Sequence, residues 1–126
     1  MRPPMKVLSH LLTLIIATVA TAAASAAQVD QSAALDALQR PSSVLIDVRT
    51  EQEFVEGALP GATRIETEDL AERIAAVAPD KDAPVVLYCR SGRRASAAQD
   101  LLQELGYTQV FNAGGYQELK ELAPLR

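Results

Sequence analysis

Two short apolar runs leave this chain little choice of architecture. Val44-Leu45-Ile46-Asp47-Val48-Arg49 has four apolar residues in its first five, and Val85-Val86-Leu87-Tyr88 is apolar throughout. A run of this length without polar alternation suits a strand covered on both faces, and strands of that kind belong to parallel sheets. Each run is followed by a helical pattern. Thr50 is a good N-cap for a helix over residues 51–56, with acids in its first turn and Gly57 as its stop. Beyond the second run, Ala97, Ala98, Leu101, Leu102 and Leu105 mark a helix over 94–105, closed by Gly106.

The remaining chain repeats this alternation. Residues 28–39 read as an amphipathic helix capped by Asp30 or Ser32 and ending before Pro41. Residues 62–65 are a short extended piece. Thr67 is the expected cap of a helix whose Leu70, Ile74 and Val77 share one face and which Pro79 closes. Residues 107–111 read as a last strand, 112–115 as a loop whose two glycines are free to take positive φ, and 116–122 as a final helix. Strands alternating with helices place the chain in the α/β class, with a largely parallel sheet.

The first quarter is of another kind. Arg2 and Lys6 precede an apolar stretch over residues 8–24, and Ala24-Ser25-Ala26-Ala27 follows. A positive n-region, an apolar h-region and a small-residue cleavage site describe a secretory signal peptide. Residues 1–26 are therefore expected to be removed, with Ala27 a neighbouring cleavage choice, leaving 27–126 as one domain in the periplasm. The rival is an uncleaved membrane anchor, for which the stretch is short. Cleavage removes Arg2 and Lys6 and no acid, so the formal charge moves from −4 to −6, ten basic residues against sixteen acidic. An acidic domain of this size offers no footprint for nucleic acid and no basic helix for stable membrane association. His10 leaves too, and it is the single histidine. A Cys–His nucleophile pair and the usual Cys/His zinc sites are then excluded. With one cysteine, no internal disulfide can form.

That cysteine, Cys89, stands where a strand ends, a loop turns and a helix begins. Its loop reads Cys89-Arg90-Ser91-Gly92-Arg93-Arg94. A thiol at a helix N-terminus among three arginines is a setting that favours the thiolate. With Gly92 in its middle, the loop can aim successive backbone N–H groups at one point and so cradle an anion, to which Arg93 and Arg94 would add charge-assisted bonds. Arg94, where the helix starts, is expected to be directed into the loop. A sulfur nucleophile in such a cradle suits attack on a sulfur, arsenic or phosphorus oxyanion, and attack on the outer sulfur of a thiosulfate needs no general acid. Asp47 and Arg49, at the carboxyl end of their strand, read as a structural ion pair fixing neighbouring loops. No metal or cofactor is needed.

Four motifs in order carry a family resemblance: Leu45-Ile46-Asp47-Val48-Arg49; Glu53-Phe54 with Gly57-Ala58-Leu59-Pro60-Gly61-Ala62; Tyr88-Cys89-Arg90-Ser91-Gly92-Arg93-Arg94; and Asn112-Ala113-Gly114-Gly115. In this order and spacing they resemble the successive motifs of rhodanese domains, over nearly all of the mature chain. A leader followed by one short domain is most similar to the small periplasmic thiosulfate sulfurtransferases of the phage-shock type. The resemblance implies a rhodanese-like fold, a five-stranded parallel sheet flanked by helices on both faces. It implies that Cys89 carries sulfur as a persulfide and that the amides of Arg90, Ser91, Gly92, Arg93 and Arg94 bind the anion. The implied partners are a small anionic sulfur donor and a thiophilic acceptor, cyanide or a thiol, with a protein persulfide acceptor as the carrier alternative. Related phosphatases and arsenate reductases have a loop one residue longer than the six from Cys89 to Arg94, which favours sulfur chemistry here. Many relatives carry a histidine where Ala58 stands, a departure expected to touch packing and not chemistry.

Overall fold

The computed structural model describes residues 29–122. The leader, its cleavage site and His10 lie outside the described residues. In chain order the elements are α1 (Gln31–Leu38), β1 (Val44–Asp47), α2 (Glu51–Glu56), β2 (Thr63–Arg64), α3 (Thr67–Val77), β3 (Val85–Cys89), α4 (Arg93–Glu104), β4 (Val110–Gly115) and α5 (Tyr116–Leu122).

The strands form one parallel sheet in the order β2-β1-β3-β4. Alternation along the strands explains why their sequences lack a polar face. Ile46 and Val48, with Val85, Leu87 and Cys89, turn to the core shared with α3 and α4. Leu45, Val86 and Tyr88 turn to a second core with Ala34, Ala37 and Leu119, under α1 and α5. The sheet is thus covered on both faces, the condition for near-continuous apolar strands. After β1 the chain runs outward to β2 and then returns to the other side for β3. The order therefore reverses between β1 and β3, and ligands in open α/β sheets gather beyond the carboxyl ends at such a point. Asp47 and Cys89 end those two strands.

Four strands are paired among the described residues where five were expected. Among the described residues the place beside β4 is taken by Val29 alone, an isolated bridge to Asn112. Asp30 turns the chain away at once: its amide donates to the Asn112 carbonyl at 3.0 Å, and its Oδ1 accepts from the Ala33 N–H at 3.0 Å as the cap of α1.

Two local expectations are also corrected. Asn112, Ala113, Gly114 and Gly115 belong to β4 and not to a loop, and of the two glycines only Gly114 takes a positive φ, +93°. Thr67 is the first residue of α3 and not its cap. Glu66 holds the cap position without a side-chain cap bond, its carboxylate being drawn to Arg64 at 3.0 Å, and the Thr67 Oγ1 is buried without a partner. Thr50 does cap α2, in a capping box with Glu53.

Candidate active site

Cys89 closes β3 and is fully buried. Gly92 follows at φ +90°, the left-handed conformation that lets the chain reverse into α4, and its N–H donates to the Cys89 Sγ at 3.0 Å. The thiol therefore sits beneath the start of a twelve-residue helix, within reach of a backbone donor. Ser91 and Arg93 are exposed on the outer rim of the loop, and so is the Arg90 side chain.

Two groups that sequence reasoning gave no role hold the loop from behind. The buried Asn112 donates through Nδ2 to the Gly92 carbonyl at 2.8 Å and to the Ser96 Oγ at 2.9 Å, while its Oδ1 accepts from the Gly114 N–H at 2.9 Å. Gly115 lies against the loop backbone: a Cβ there would fall 2.5 Å from the Arg90 carbonyl oxygen, which cannot give way as a flexible side chain could. Gly115→Ala is accordingly expected to displace the Cys89 loop. It should lower sulfur-transfer activity by about 10²-fold, the cost of misplacing reacting groups by about 1 Å, and leave the helix content unchanged. Activity within two-fold of wild type would contradict this packing.

The third unforeseen residue is Glu53. Its carboxylate takes Arg94 in a two-pronged bridge, Nη1 to Oε1 at 2.7 Å and Nη2 to Oε2 at 3.0 Å. The Glu53 carboxylate foremost, and Cys89 well after it, holds the Arg94 guanidinium above its ordinary range. The Arg94 bond, supported by the Thr50 N–H and hydroxyl, keeps the Glu53 carboxyl well below its usual range, at about 2. Because the folded-state value is depressed, this contribution to stability is complete above about pH 4.5 and is lost as the pH falls towards 2. Glu53→Gln is expected to flatten the acid limb of the stability–pH curve in that window, read as unfolding midpoints in denaturant. An unchanged slope would show that the bridge does not depend on the carboxylate charge. Thr50 was readable as the cap of a helix, but nothing in the sequence tied Glu53 to an arginine 41 positions on.

Asp47 and Arg49 form a buried ion pair with an Nη2–Oδ2 distance of 2.6 Å, and Arg49 Nη2 also donates to the Gly57 carbonyl at 2.7 Å. The guanidinium lies 4.4 Å from the ring centre of Tyr116 and 5.4 Å from that of Tyr88. Burial alone would weaken its charge, but Asp47 and Tyr88 more than offset this, and its pKa is raised. Burial pushes the Tyr88 hydroxyl up, so it stays protonated; it accepts from the Leu59 N–H at 3.1 Å. This network fixes the turn over 57–62 beside the Cys89 loop.

Two cavities flank the site. One, of about 320 Å³, has Arg49, Glu53, Glu56, Arg90, Tyr116 and Lys120 among its walls. The other, also about 320 Å³, is walled by Val48, Thr50, Thr67, Arg94 and others. The structure thus brings Cys89 and Gly92 into contact and sets Arg90 on the wall of one cavity and Arg94 on the wall of the other. Asp47 and Arg49 stand next to the loop as a support.

The described chain matches the family model of the rhodanese-like domain over residues 30–122. The chain belongs to the rhodanese-like domain family. Among characterised relatives, it is 40% identical over 74 residues to thiosulfate sulfurtransferase PspE of Escherichia coli, covering 59% of this chain and 71% of that protein. It is 30% identical over 83 residues to thiosulfate sulfurtransferase GlpE of Pseudomonas fluorescens, covering 66% of this chain and 74% of that one. Among solved structures it is similar to a rhodanese from Escherichia coli determined with anions, with a TM-score of 0.60 and 39% identity over 61% of this chain and 91% of that one. It is also similar to the human single-domain sulfurtransferase TSTD1, with a TM-score of 0.57 and 27% identity over 71% and 90% of the two chains. The rhodanese-like α/β fold and a sulfurtransferase enzyme, both expected from the motifs, are borne out by these rhodanese relatives. Among the described residues no helix is long and apolar enough to cross a membrane.

Proposed function

We propose that this rhodanese moves sulfane sulfur from thiosulfate, or a donor of the same kind, to cyanide or a thiol through a persulfide on Cys89. It would do so in the periplasm, as residues 27–126 after loss of the leader 1–26. The observation that carries the reading is the Gly92 N–H set 3.0 Å from the Cys89 sulfur at the start of α4.

In the first half-reaction the Cys89 thiolate attacks the outer sulfur of thiosulfate. A new S–S bond forms, the bond to the inner sulfur breaks, and its electron pair leaves on sulfite. The negative charge then rests on the outer sulfur of the persulfide, where the Gly92 amide and Arg94 can face it. Sulfite is a stable leaving group, so no proton has to be supplied, and a mature chain without histidine suffices. In the second half-reaction a nucleophilic acceptor takes the outer sulfur, the persulfide bond breaks, and Cys89 returns as thiolate. Arg90, at a cavity wall and exposed, is the cation best placed to meet an arriving anion, with Arg93 on the outer rim. Such a shuttle gives ping-pong kinetics. With thiosulfate and cyanide varied together, double-reciprocal plots are expected to be parallel. Lines that converge would mean a ternary complex and would remove the persulfide route.

A further inference from the structure

We propose that Glu53 sets the anion affinity of the Cys89 pocket by occupying the guanidinium fork of Arg94, so that a donor oxyanion must displace the carboxylate before it can use that arginine. The inference rests on the proposed function for its meaning but is tested without turnover.

Both terminal nitrogens of Arg94 are engaged, at 2.7 Å and 3.0 Å, by the two oxygens of one carboxylate. A fork filled in this way presents little net charge to a third group, although Arg94 stands in the Cys89 loop at the start of α4. The carboxylate is also held from behind. Its Oε1 accepts from the Thr50 N–H at 3.1 Å and from the Thr50 Oγ1 at 3.1 Å, so the start of α2 anchors it to the start of α4. Glu53 is part of the wall of one cavity and Arg94 part of the wall of the other. The bridge therefore joins a wall of one cavity to a wall of the other. Arg90 lines the first of them and forms no ion pair among the described residues.

A pocket that must release a doubly charged product gains from this arrangement. A fully free Arg94 beside Arg90 would hold thiosulfate and sulfite tightly, whereas a tethered one yields its bonds only in exchange. Glu53 is on this account a positioning residue that lowers donor affinity, the opposite of what losing a wall residue usually does.

The test is sulfate binding at constant ionic strength, read as the rise in unfolding temperature with sulfate concentration. In Glu53→Gln, the glutamine oxygen can still accept from Thr50 in the capping box, and the freed fork should lower the half-saturating sulfate concentration by roughly ten-fold, the equivalent of about 1.4 kcal/mol. Glu56→Gln removes the same charge from the same cavity without touching Arg94, and should change it by less than about two-fold. Thr50→Ala keeps every charge and loosens the carboxylate from behind, and should tighten sulfate by roughly two-fold. Equal or weaker sulfate binding in Glu53→Gln, an equal gain in Glu56→Gln, or no sulfate binding in any variant would overturn the inference. Should Glu53→Gln fail to fold, an unchanged affinity in Thr50→Ala would do the same. Failure of the proposed function would show separately, as absence of sulfur loading on wild-type Cys89.

Discussion

Cys89→Ser is expected to lower sulfur transfer from thiosulfate by at least about 10³-fold while leaving the protein folded. Serine is nearly the size of cysteine, and its oxygen can still accept from the Gly92 N–H, which reaches the sulfur at 3.0 Å in the wild type. What is lost is the nucleophile. A hydroxyl at this position is not ionised near neutral pH, and an oxygen bound to sulfur is not a carrier of sulfane sulfur. Cys89 is the single cysteine, so no neighbour can take its place. Residual turnover above a few per cent of wild type, with an unchanged unfolding midpoint, would contradict the role given to Cys89.

The largest expected effect on stability is at Asp47. Asp47→Ala should destabilise the fold by about 3–5 kcal/mol, the cost of breaking one side of a buried pair. Asp47 and Arg49 are both buried, at an Nη2–Oδ2 distance of 2.6 Å, and the carboxylate also accepts from the Arg49 backbone N–H at 2.9 Å. Removing it leaves a guanidinium between two tyrosine rings with the Gly57 carbonyl as its remaining polar partner. Against a typical domain stability of about 5–15 kcal/mol, the loss would bring the midpoint of denaturant unfolding down by a large fraction. Asp47→Asn, which keeps an oxygen acceptor, should cost less. A change below about 1 kcal/mol in Asp47→Ala would show that the network is not what holds the turn over 57–62.

The parts of the fold that were legible in the sequence are those set by local chemistry. The runs at Val44 and Val85 declared buried parallel strands because both faces of each strand meet a core. Thr50 declared the start of α2 because its hydroxyl and the Glu53 carboxylate satisfy each other's backbone donors. The misreadings come from contacts that residue type alone does not announce. Glu66 stands at the cap of α3 with its carboxylate on Arg64 at 3.0 Å, and β4 runs on through Gly114 and Gly115 because the sheet pairs Gly115 with Cys89. Among the described residues the bridge at Val29 is all that stands for a fifth strand, and Asp30 caps a helix immediately after it.

The candidate site divides along the same line. The Cys89 loop could be recognised from six consecutive residues. The groups that brace it could not, since Glu53 comes from α2 and Asn112 and Gly115 from β4, and their meeting depends on the register of β3 with β4 and on where α2 lies. Arg94 was expected to face the loop, and its guanidinium is paired with Glu53 at 2.7 Å and 3.0 Å. That its fork would be filled by a carboxylate is a tertiary fact, and it changes which cations are free to meet an anion.

The most direct test of the account is the intact mass of the purified protein before and after thiosulfate, with Cys89→Ser in parallel. The account predicts a gain of one sulfur atom, about 32 Da, in the wild type, reversed by cyanide and absent in the variant. No gain in the wild type, or the same gain in Cys89→Ser, would contradict a persulfide on Cys89.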